Sequence, residues 1–200
     1  PGSFGAVAML TLEDQRFELR PTYLGMSARD LSTYVGVDCV GLLGMDILGQ
    51  FDLEFDLARN SLKLSAQPLA SGPGISVPLE SFMGIPILEG VVEHEGRRLF
   101  FDTGAQVSYL EDAALREYPD SGGFTDFYPG IGQFETHTHL VPIKIGGVVF
   151  NLRCGTLPEM LGGTLRMAGT KGIVGNDLLN ERVISLFARR KLMVIRDGQA

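Results

Sequence analysis

The sequence predicts an all-β protein with a few short helices. Three observations carry that expectation. Its 200 residues include 26 glycines but few stretches of helical periodicity, a balance that suits short strands joined by tight turns. Apolar and polar residues alternate on either side of those turns, as half-buried strands require. One block of the chain also occurs twice: Gly41-Leu42-Leu43-Gly44-Met45-Asp46-Ile47-Leu48 is closely repeated by Gly172-Ile173-Val174-Gly175-Asn176-Asp177-Leu178-Leu179.

Each copy begins with a hairpin. Residues 7–12 and 16–19 form the first, matched by residues 140–145 and 149–152 in the second. Each repeated block then enters a short helix with Asp46 or Asp177 in its first turn, where a carboxylate suits the positive helix end and can cap free N–H groups. A closing hairpin follows, over residues 51–64 and 183–195, and aligning Ala58 with Ala188 requires a one-residue slip. Asp52-Leu53-Glu54-Phe55-Asp56 alternates as a half-exposed strand does. The run Ser65 to Gly74 is rich in Ser, Pro and Gly and reads as a linker. Beyond it lies material without an upstream counterpart: a strand from Ile75, a hairpin over 85–101 turning at Glu95-Gly96, and a short helix over 111–117. The expected organisation is a half-unit over 4–65, a linker over 66–74 and a complete unit over 75–200. A half-unit has too little chain to bury its own apolar face.

Composition narrows the function classes. The net charge is −7, no Lys/Arg cluster stands out, and neither a nucleic acid nor an anionic membrane is an expected partner. No apolar stretch approaches the length of a membrane span. Cys39 and Cys154 have no metal-binding spacing and read as separate structural thiols. His137 and His139 share a strand face, but no third ligand is spaced to make a zinc site with them, so no metal or cofactor is expected.

Asp102-Thr103-Gly104-Ala105 follows the apolar run Leu99-Phe100-Phe101. By spelling alone, an acid, a hydroxyl and a glycine after a strand make an ordinary Asx turn. The context is more specific, because Ser108 follows and Gly172-Ile173-Val174-Gly175 comes later in the chain. With these elements in this order, residues 72–200 resemble one lobe of the retropepsin and pepsin clan of aspartic proteases. The resemblance implies a closed β-barrel lobe with short helices, preceded by the C-terminal half of a second similar lobe. It also implies that Asp102, Thr103 and Gly104 are catalytic, with Thr103 hydrogen-bonded across the lobe seam and Gly104 admitting substrate backbone. Tyr128-Pro129-Gly130-Ile131-Gly132 resembles a flap tip, which implies contact of Ala105, Tyr128, Gly130, Ile131 and Gly132 with an extended peptide or protein substrate. Glycines at such a tip permit the motion a lid needs.

The chemistry this implies needs two carboxylates. Close like charges share one proton, so one group is a base for water while the other is an acid for the scissile carbonyl. The chain holds one Asp-Thr-Gly. A matching aspartate is expected from an upstream half-lobe that completes the first copy, with a second copy of this chain as the rival source. Alone, the chain is expected to be weakly active or inactive. The competing function is a non-catalytic peptide-binding or assembly module on the same fold. The sequence itself fixes no compartment; resemblance to two-lobed bacterial aspartyl proteases implies an exported or periplasmic protein.

Overall fold

The computed structural model describes residues 9–111, 114–129, 131–180 and 182–198. The protein is predominantly β, with few short helices. Its N-terminal hairpin, β1 (Met9–Leu12) and β2 (Gln15–Glu18), forms a two-stranded sheet. Helix α1 (Ala28–Val35) is set by its ends: Ser27 and Asp30 form a capping box, and Gly36 closes it at φ 73°. Helix α2 (Met45–Leu48) precedes the hairpin of β3 (Asp52–Asp56) and β4 (Ser61–Ser65).

The remaining strands are β5 (Ile75–Pro78), β6 (Glu80–Phe82), β7 (Ile85–Val92), β8 (Glu95–Phe101), β9 (Ser108–Leu110), β10 (Asp120–Tyr128), β11 (Gly132–Ile145), β12 (Val148–Gly155), β13 (Gly172–Val174), β14 (Arg182–Phe187) and β15 (Leu192–Asp197), with α3 (Gly162–Ala168) before β13. The larger sheet runs β10-β11-β12-β9-β13-β8-β7-β6, and β11 also pairs with β7. That extra pairing closes a ring of strands around Leu99, Val141, Ile143, Ile145, Leu152 and Val174, all buried. Closure depends on Gly90, where a Cβ would lie 2.8 Å from Leu99 and 3.0 Å from Ile143.

A second sheet, β4-β3-β14-β15-β5, joins the two copies. Its register has an internal symmetry. Leu53 faces Leu186, Phe55 faces Ile184, and Glu54 faces Ser185 between them. Exchanging equivalent positions of the two copies turns the first pair into the second and leaves the third in place, so a pseudo-two-fold axis passes between Glu54 and Ser185. The same constant offset relates Gly44 to Gly175, Asp46 to Asp177, and the left-handed turn residues Asn60 (φ 49°) and Lys191 (φ 51°). The one-residue slip expected between the closing hairpins is therefore not needed; matching alanines misled the alignment, whereas the left-handed residue that ends each turn defines it.

Other expectations also need correction. The first barrel hairpin turns at Glu93-His94, with Val92 facing Glu95, so Glu95 and Gly96 lie within β8. Part of the expected helix over 111–117 lies outside the described residues, as do Val7 and Ala8; residues 114–118 form turns. The N-cap positions of α2 and of the 3-10 turn Asn176–Leu179 are held by Gly44 and Gly175, with no side-chain cap. Strand β3 does not alternate between buried and exposed: Asp52 and Leu53 are both buried, and Glu54, Phe55 and Asp56 are half-buried. The linker is strapped down as well, for Arg189 donates to the Ala66 carbonyl, Arg190 to that of Leu69 and Arg196 to that of Ser71. Both cysteines are free thiols.

The repeated blocks have unequal surroundings. In the second copy Val174 is fully buried, and β13 lies between β8 and β9. In the first copy the same segment pairs with no strand among the described residues, and Leu42 and Leu43 are 53% and 44% exposed. A Cβ on Gly172 would lie 2.3 Å from the Tyr109 carbonyl oxygen, whereas one on Gly41 would meet nothing within 4 Å. Gly172→Ala is therefore expected to cost about 2 kcal/mol through forced overpacking, and Gly41→Ala no more than about 0.5 kcal/mol. Paired urea unfolding curves check the contrast; equal midpoint shifts would contradict it.

Candidate active site

The backbone around Asp102 is held from two sides. Strand β8 runs parallel to β13, with Phe101 beside Val174, and β13 runs antiparallel to β9. Leu99, Phe100 and Phe101 are buried, so the apolar run anchors the strand and releases its next residue at the surface. The Asp102 N–H donates to the Val174 carbonyl at 2.9 Å. Beyond it, the Asn176 N–H donates to the Ala105 carbonyl at 2.8 Å, and the Asn176 amide reaches the Thr103 carbonyl at 3.4 Å. The loop after β8 is thus stitched to the turn after β13.

The Asp102 carboxylate itself is exposed and accepts the Gly104 N–H at 2.9 Å. Among the described residues no other carboxylate is hydrogen-bonded to it and no cation pairs with it. Thr103 is half-buried and contributes its carbonyl; its hydroxyl, expected to bridge a lobe seam, has no hydrogen-bond partner among the described residues. A Cβ on Gly104 would lie 3.1 Å from the Asp102 Oδ1, so this glycine first serves the turn that presents the acid. Ala105 is half-buried.

Strands β10 and β11 form the hairpin expected as a flap, with Tyr128 facing Gly132. Gly130 lies outside the described residues. The Ile131 N–H donates to the Tyr128 carbonyl at 3.0 Å, and Gly132 takes a positive φ of 96°, which glycine tolerates best. The Tyr128 phenol is held above its ordinary pKa by burial first, then by Tyr23 and by the negative charge of Asp102. The structure therefore brings Tyr128 into electrostatic reach of Asp102. Below the tip the hairpin is braced. Tyr34 of α1 stacks on Phe127 with centroids 5.1 Å apart, the Tyr109 hydroxyl donates to the Asp126 carboxylate, and Arg153 lies over Phe124 at 5.2 Å.

Sequence reasoning passed over several of these groups. Asp177 is not a simple helix cap: its carboxylate accepts the Ser108 hydroxyl at 3.0 Å and the Arg153 N–H at 2.9 Å. The available signal was spacing, since Ser108 follows the acidic turn closely and Asp177 sits just after Gly175. His139 uses its Nδ1 on the Tyr118 carbonyl at 2.9 Å, which gives it a structural role. Two surface cavities, of about 390 and 460 Å³, are lined by other residues: Val107, Phe150 and Asp177 in one, Val77, Ile87 and Lys144 in the other. Neither is lined by Asp102 or Tyr128. The candidate site is the exposed Asp102 turn, with Tyr128 of the β10–β11 hairpin within electrostatic reach of it. No protein-family model and no curated protein matches this chain.

Proposed function

We propose that this chain is part of an aspartic endopeptidase and supplies one of its two catalytic carboxylates, Asp102. One observation carries the reading: an exposed carboxylate hangs from a backbone locked to β13, and its charge reaches Tyr128 of a glycine-bearing hairpin. In the proposed reaction one carboxylate takes a proton from water, the water oxygen bonds to the scissile carbonyl carbon, and the partner acid protonates the carbonyl oxygen. Collapse of that tetrahedral species breaks the C–N bond as the amine takes up a proton. Thr103 and Gly104 shape the acidic turn, while Ala105, Tyr128, Gly130, Ile131 and Gly132 contact the extended substrate.

The second acid comes from polypeptide that completes the first copy. The pseudo-two-fold axis relates Leu43 to Val174, whose carbonyl receives the Asp102 N–H, so the matching acidic turn belongs beside Leu43. A symmetric dimer through β14 is disfavoured, because β3 of the same chain already occupies that edge. The test is peptide hydrolysis by a polypeptide carrying both acids, with and without Asp102→Asn. Undiminished hydrolysis in the variant removes the reading. Tight binding of extended peptides with no turnover in the unsubstituted protein would instead support a non-catalytic peptide-binding module, a reading favoured by the lack, among the described residues, of a second carboxylate hydrogen-bonded to Asp102.

A further inference from the structure

We propose that Asp177 is a positioning residue for Asp102, acting through Ser108 and β13. The inference rests on reading Asp102 as the reacting group, and it concerns a residue outside the acidic turn.

The links run in one direction. Ser108 is fully buried, and its hydroxyl hydrogen is committed to the Asp177 Oδ1 at 3.0 Å. With that hydrogen engaged, the Ser108 oxygen turns a lone pair to the Gly175 N–H, 3.0 Å away. Gly175 follows Val174, whose carbonyl holds the Asp102 N–H. There is no slack at this step, because a Cβ on Gly175 would lie 2.7 Å from the Val107 carbonyl oxygen and 2.8 Å from that of Ala105. The other Asp177 oxygen is fixed by the Arg153 N–H at 2.9 Å, so β9, β12 and the turn after β13 meet on one carboxyl group.

Two simpler roles fit less well. A helix cap accounts for the Asp177 and Leu178 N–H groups that the carboxylate also meets, but not for its bonds to Ser108 of β9 and Arg153 of β12. A core ion pair would use the Arg153 guanidinium, which instead reaches the Thr138 hydroxyl at 2.8 Å and the Ser121 and Gly123 carbonyls. Burial raises the Asp177 pKa even though the Arg153 N–H, the Ser108 hydroxyl and the N–H groups of Leu178 and Asp177 pull the other way, the situation of a buried acid held by dipoles without a cation. Asp46 is the matched control within the chain. It occupies the equivalent place in α2, yet its carboxylate lies against its own Gly44 and has no serine partner among the described residues.

Amide hydrogen exchange followed by NMR tests this without any need for turnover. Ser108→Ala and Asp177→Ala are expected to speed exchange at the Asp102 and Gly175 amides about tenfold while Val141 and Leu152 in the barrel keep their rates, the pattern of a local opening. Ser108→Thr should restore slow exchange. If Asp177→Ala fails to fold, Ser108→Ala reads the same link with one hydroxyl removed. Unchanged exchange at Asp102, or a rise matched at Leu152, overturns the proposal, because a merely stabilising acid would loosen the whole barrel. Local opening, together with no hydrolysis by a polypeptide that carries both acids, leaves the link from Asp177 to the Asp102 backbone standing and removes the protease reading. Hydrolysis abolished by Asp102→Asn without local opening does the reverse.

Discussion

Asp102→Asn is expected to lower peptide hydrolysis about 10³-fold, within the range lost when a positioned acid–base group is removed, and to leave the fold intact. The separation of the two effects follows from the site. Asp102 is exposed, its one donor among the described residues is the Gly104 N–H, and an asparagine oxygen accepts that bond equally well. Its backbone N–H, held by Val174, is unchanged by the substitution. The thermal midpoint should therefore move by no more than about 1 °C, as for surface changes away from buried networks. The expected loss belongs mainly to kcat, because an amide of the same shape still occupies the turn yet can no longer take the proton from water. Loss of activity together with a large drop in thermal midpoint would show that Asp102 is structural and would sink the catalytic assignment.

The largest stability effect is expected at Asp52. Its carboxylate is 1% exposed and accepts the Arg189 guanidinium at 3.0 Å, the Arg190 guanidinium, and the Leu69 N–H at 2.9 Å. Arg190 also lies over the Phe187 ring at 3.7 Å. This one acid therefore ties the start of β3, the strapped linker and the turn between β14 and β15. Asp52→Ala is expected to cost about 3 kcal/mol, the low end of the range for breaking a buried pair, because both guanidinium groups reach water once released. Urea unfolding measures it, and Asp52→Asn should recover part of the loss by keeping the Leu69 bond. A shift below about 0.5 kcal/mol, the scale of an exposed ion pair, would mean that the carboxylate is not buried as described. The companion pair is Glu54 with Arg196, joined by Ser185, at the pseudo-two-fold axis; its surroundings are more open, and its loss should cost less.

How far the sequence could be read depended on the kind of information each feature needs. The β1–β2 hairpin and the β3–β4 and β14–β15 hairpins were legible, because turn residues and period-two alternation are local. Asp102-Thr103-Gly104 was legible as a turn on a buried strand for the same reason. Asp52 was misread: a polar residue in an alternating strand looks solvent-facing, and its cations come from Arg189 and Arg190, far along the chain. The hydroxyl of Thr103 was expected to cross a seam, yet among the described residues it has no hydrogen-bond partner, and the residue's contact is through its carbonyl. Asp177 was read only as a helix cap; it does meet first-turn N–H groups, but position in a first turn is visible in sequence and a hydrogen bond to Ser108 is not.

By itself, the sequence determined the all-β class, the repeat and the presentation of one acid after an apolar strand, since residue type, period and spacing act over a few neighbours. Only the tertiary structure decided that β3 pairs with β14 through Glu54 and Ser185, that β11 closes on β7, and that β13 is enclosed while its copy at Gly41 to Gly44 stays uncovered. Alternation tells a strand which side is buried but carries no record of its partner. Partners are chosen by which distant surfaces can exclude water together and satisfy each other's backbone groups, and that choice exists only once the chain has folded.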